Sequence, residues 1–102
     1  MTKLLSQEQV DQYHNSGFLS PVNILNDDEI TKSLNEIESF EKETGKAIDF
    51  PHKSRCHQLF SWADYLVHHP KILDAVEDII GPNILCYHAT LWVKPAKSNS
   101  FV

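Results

Sequence analysis

Positive charge is scarce in this sequence: nine lysines and arginines stand against fourteen aspartates and glutamates, a formal net charge of −5 over 102 residues. That balance argues against a general nucleic-acid binder, which carries a basic face, and suits an anionic membrane surface poorly. Cysteine is scarce as well. Cys56 and Cys86 are too few and too far apart for a disulfide framework, so two reduced, small, half-buried side chains are expected. No run approaches the ~18 apolar residues that span a bilayer. Residues 1–5 carry one lysine and no apolar stretch long enough for a secretory signal. A cytoplasmic protein is the expectation. With only three glycines there is no Gly-rich phosphate loop, and no G-x-S-x-G elbow occurs. What is present is ordinary globular composition, 41% hydrophobic and 23% charged, enough for one small domain with a thin core.

The helix signals are local and specific. Ser6 with Gln9 three residues later is a capping-box pattern, Val10, Tyr13 and His14 share a face, and Gly17 ends the helix. Residues 17–24 read as a short extended segment bent at Pro21. Asn26, followed by Asp27, Asp28 and Glu29, opens a second helix. Its residues Ile30, Leu34, Ile37 and Phe40 predict a single buried stripe, with Gly45 as the C-terminal cap. Residues 46–57, which contain Pro51, read as loop with a short strand at most. A short helix is expected over residues 60–67, and another from Pro70, with Ile72, Leu73, Val76, Ile79 and Ile80 as its apolar face and Gly81-Pro82 as its stop.

From residue 83 to 94 the texture becomes β. Period-2 alternation puts His88, Thr90, Trp92 and Lys94 on one face and Tyr87, Ala89, Leu91 and Val93 on the other. The first face reads either as the solvent side of an edge strand or as the wall of a ligand cavity. A long strand cannot satisfy its own backbone groups, so one placed near the end of this sequence suggests the opening of a larger sheet.

Six histidines are a mild excess. His52, Cys56 and His57, with His68 and His69, make a conceivable ligand cluster, but none of the spacings matches a structural zinc site. His68 and His69, before a proline, suit a helix cap or solvent better. The run Asp27-Asp28-Glu29 is helix-start chemistry, and Lys71 with Asp74 or Asp78 is a surface pairing.

The stretch HPKILDAVEDIIGPNILC (residues 69–86) is similar to the helix-plus-strand entry of phytanoyl-CoA dioxygenase family proteins, most specifically in G-P-N-I-L-C. QEQVDQYHNSGFL (residues 7–19) resembles the family's opening helix and G-F strand. Residues 26–37 match its second helix, and HQLFSW (residues 57–62) a segment before its third. The likeness covers nearly the whole chain in order. It implies an α+β fold: N-terminal helices plus the first strands of a double-stranded β-helix (jelly roll), truncated, so that residues 1–102 form the N-terminal part of a single oxygenase domain. It implies Fe(II) and 2-oxoglutarate as cofactors of the full-length protein, hydroxylating a small-molecule or acyl substrate, or halogenating it where the iron-binding Asp is a small residue. In the family a His-x-Asp motif follows the Lys-Pro pair, here Lys94-Pro95, and with a distal His binds the iron. No such motif occurs here, so no metal ligand or catalytic residue is expected in this chain, and no cofactor is expected to bind it alone. The resemblance places Thr90 and Trp92 on the cavity wall and Arg55 and His57 near the co-substrate. It turns the polar strand face toward the cavity reading. The alternative from another class is a non-catalytic helical partner-binding module. The unpaired strand, residues 84–93, is expected to promote self-association.

Overall fold

The computed structural model describes residues 2–99. Five helices form: α1 (Gln7–Ser16), α2 (Asp27–Thr44), α3 (Cys56–Leu59), α4 (Ser61–Val67) and α5 (Pro70–Ile80). The caps read from the sequence are built. Ser6 and Gln9 exchange hydrogen bonds at the start of α1, as do Asn26 and Glu29 at the start of α2. Gly17 and Gly45 take the left-handed conformation past α1 and α2 (φ 83° and 74°) and donate back to Tyr13 and Glu41. A Cβ is strained there, so glycine is the natural stop.

The expected jelly-roll opening does not form. Among the described residues there is no β-strand and no sheet, only one isolated antiparallel bridge, Ser54 to Thr90. The reason is a shortage of partners. Residues 17–24 stay irregular, and residues 46–57 supply only that bridge before the chain turns into α3. With one short neighbour, residues 83–94 run extended without a ladder. The fold of the described residues is therefore all-α with an extended C-terminal arm.

The core sits where the arm meets the short helices. Cys56, Trp62 and Ala63 are buried, and Ile37, Phe60, Leu66, Ala89 and Leu91 pack around them. Phe40 continues it, its ring edge-on to Phe60 with centroids 4.9 Å apart. The stripe of α2 is thus only partly buried, at Ile37 and Phe40 in its second half. Ile30 and Leu34 are 42% and 51% exposed. A second junction joins α1 to α5, where Leu5 and Val10 are buried. Here Asp78 departs from the expected pairing with Lys71. Its carboxylate accepts the backbone N–H groups of Lys3, Leu4 and Leu5 at 2.7, 2.8 and 2.8 Å, while Lys3 Nζ meets Glu77 at 2.6 Å. Partial burial opposes the Asp78 charge, and the three amides outweigh it, so the carboxyl titrates below its ordinary value.

Candidate functional site

The two segments that carry the four expected site residues do meet. Leu91 N–H donates to Lys53 O at 2.9 Å, Cys56 N–H to Ala89 O at 3.3 Å, and Ser54 faces Thr90 between them. The four side chains nevertheless do not converge. Thr90 is half-buried at the bridge, and Arg55 is an exposed left-handed residue (φ 56°) that turns the chain into α3. His57 and Trp92 line different clefts. His57 shares one of about 620 Å³ with His68, Asp74, Glu77 and Cys86. Trp92 shares one of about 500 Å³ with Asp49, Lys53 and Leu91. The Nδ1 atom of His57 is shielded from solvent and has no partner among the described residues.

The expected alternation of the arm holds only near the bridge. Ala89 and Leu91 face the core, and Trp92 is 59% exposed with Lys53 Nζ 4.6 Å above its ring. That contact is a cation–π pair, and Lys53 also meets Asp49 at 3.6 Å. Tyr87, expected beside Ala89 and Leu91, is 94% exposed, and Ile84 and Cys86 border the His57 cleft instead. A polar cavity wall running the length of residues 83–94 is therefore absent from the described residues.

The best-connected polar group lies elsewhere, between α2, α4 and α5. Glu29 Oε2 accepts from the Tyr65 hydroxyl and from His69 Nε2, the latter at 2.6 Å, while Oε1 accepts Asn26 N–H at 3.0 Å. His69 is buried, and its Nδ1 accepts Lys71 N–H at 3.1 Å, capping α5. Because Nδ1 is the acceptor, the ring proton sits on Nε2 and points at Glu29. The Tyr65 hydroxyl, the Asn26 amide and His69 together hold the Glu29 carboxyl down to about 2. The same carboxylate pushes the Tyr65 phenol upward. Both His69 nitrogens and both Glu29 oxygens are engaged, which leaves no free base. The cluster ties three helices together.

Sequence reading foresaw parts of this cluster: Glu29 as helix-start chemistry and His69 as a cap. It missed Tyr65 and the link itself, because the partners stand 36 and 40 positions apart with no spacing rule between them. Below the cluster, α2 and α4 frame a cleft of about 400 Å³ lined by Asp28, Lys32, Ser33, Glu36, Ser61 and Trp62. Glu36 Oε2 and Trp62 Nε1 border it, both shielded and both without a partner among the described residues.

Neither implied cofactor fits the described residues. No group of three or more His, Cys, Asp or Glu side chains among them is arranged to hold a metal ion, and the four residues expected around 2-oxoglutarate line no common cleft. No described helix is long and apolar enough to cross a membrane. Compared with known proteins, the chain matches no family model, no curated sequence and no solved structure.

Proposed function

We propose that this chain is the N-terminal, helical part of a cytoplasmic non-haem Fe(II)/2-oxoglutarate-dependent oxygenase that hydroxylates a small-molecule or acyl substrate. The observation that supports it is one of order. A capped helix at Gln7–Ser16, a longer one at Asp27–Thr44, one at Ser61–Val67 and one from Pro70 into Gly81-Pro82 stand in the same order as the helical segments that carry the resemblance. The resemblance implies that the iron ligands and the groups that bind 2-oxoglutarate would come from outside the segments that carry it. The part played by this chain is packing: it buries Trp62 and Cys56 and carries Thr90 and Trp92 on the segment that leaves the core. A halogenase of the same family would differ only at the iron site.

Sequencing the transcript past the Val102 codon tests this directly. A His-x-Asp motif and a later His are expected, and a stop codon there overturns the reading. A second test is thermal. A ligand stabilises only a fold that binds it, by about 2.7 kcal/mol at a hundred times its Kd, a shift of several degrees for a chain of this size. Anaerobic Fe(II) with 2-oxoglutarate should leave the melting temperature of the 102-residue chain unchanged. An upward shift would place the iron within it.

The second reading, a non-catalytic partner-binding module, draws support from the exposed Ile30 and Leu34 on α2. It predicts the stop codon, and a partner whose binding is lost in Leu34→Asp.

A further inference from the structure

We infer that residues 84–88 are the edge through which two copies of this chain pair, as antiparallel strands related by a two-fold axis at Cys86. Three observations carry this. The first is backbone supply. Hydrogen bonding between the arm and residues 53–56 ends at Ala89, and no described residue pairs with the backbone of residues 84–88. Leu85 and Tyr87 are 85% and 94% exposed there. An extended segment with bare N–H and C=O groups is a template for another strand.

The second is charge. From Pro82 to Val93 there is no Asp, Glu, Lys or Arg, in a chain whose net charge is −5. Two such chains repel each other over most of their surface, and this neutral strip is where they can approach. The charged residues and prolines that usually block an exposed edge are missing from residues 83–93.

The third is self-complementarity, which a two-fold contact demands. With Cys86 on the axis, Leu85 stands opposite the second copy's Tyr87 on both sides, giving two aliphatic–aromatic cross-strand pairs. On the other face Ile84 stands opposite His88. An axis on Tyr87 would set Leu85 against Ala89 and lose both large pairs. The exposed thiol of Cys86 then faces its own copy at a Cα separation of roughly 4.5–5.5 Å, inside the window for a disulfide. A ribbon this short buries well under the ~1,200 Å² of a stable interface, so the pairing is weak and depends on concentration. It does not rest on the oxygenase reading, and Thr90 and Trp92 lie outside the ribbon.

The test uses the whole chain in reducing buffer. Sedimentation across a wide concentration range should show the average mass rising from monomer toward dimer. Diamide, a two-electron oxidant that converts two thiols to one disulfide and is itself reduced to the hydrazine, should then give a covalent dimer joined at Cys86. Leu85→Asp with Tyr87→Asp should abolish both, with the circular dichroism spectrum unchanged because both side chains are exposed. Lys42→Cys in a Cys86→Ser background controls for chance collision and should cross-link at least tenfold more slowly. A monomer at every concentration overturns the proposal. So does association that survives Leu85→Asp with Tyr87→Asp, or equally fast cross-linking in the control.

Discussion

The helical body and the extended arm differ in where their backbones find partners. In α1, α2 and α5 each turn bonds to the turn before it, and the end groups are taken by Ser6, Asn26, His69, Gly17 and Gly45. In residues 83–94 two backbone bonds to residues 53–56 and the packing of Ala89 and Leu91 anchor the middle, Ile84 is half-buried, and Leu85, Tyr87 and Val93 are exposed. The radius of gyration, 15.8 Å, exceeds the ~13 Å of a compact domain of this length. The comparison teaches that helical signals are sufficient by themselves, while a strand signal specifies a strand only if a neighbour exists.

Trp62 and Trp92 give the sharpest contrast, and the largest expected effect. Trp62 is 9% exposed at the centre of the core, so Trp62→Ala should cost about 3–5 kcal/mol, enough to unfold so small a chain. Urea unfolding followed by circular dichroism reads it. A Trp62→Ala variant that keeps a normal transition would mean that the core lies elsewhere.

Acid should act on the body and spare the arm. Glu29 is held down to about 2 from an ordinary 4.5, and Asp78 lies below its ordinary 3.8. Carboxyls depressed by folding contribute stability that is complete above their unfolded values and lost as pH falls through the folded ones. The melting temperature should therefore be level above about pH 5 and fall from there toward pH 2. Glu29→Gln should flatten that fall. Over the same pH range, Asp78→Asn should release the amides of residues 3–5 to fast hydrogen exchange.

Asn26→Ala removes one cap and should cost about 1 kcal/mol, seen as a lower urea midpoint with an unchanged slope. Trp92→Ala is the smallest effect. It loses an exposed cation–π contact with Lys53, and about 0.5–1 kcal/mol is the most expected. A loss as large as that of Trp62→Ala would show that Trp92 belongs to the core, and the contrast between the two tryptophans would fail.

Legibility followed the same division. Ser6 with Gln9 as a capping box, and Asn26 before its acidic run, mark helix starts within four residues of chain; both starts are capped, the second also through a box with Glu29. Pro70 opens α5 as read, and Gly81 ends it. The four-residue α3 was invisible: Arg55 makes no side-chain cap, and it turns the chain where Cys56 enters the core. Of the expected site residues, the bridge at Thr90 and the exposed ring of Trp92 fit an extended segment, whereas Arg55 and His57 face elsewhere because α3 starts between them. The Asp78 clasp, spanning 73 to 75 positions, left no trace in any local pattern.

By itself, then, the sequence determined the three long helices and their ends, because the bonds and caps involved reach no further than four residues. Tertiary structure alone decided that residues 83–94 stay an arm and not a strand of a sheet, that half the α2 stripe remains bare, and that Glu29 meets Tyr65 and His69. Each of these depends on whether a distant segment arrives alongside, and pairing between distant residues leaves no periodicity to read.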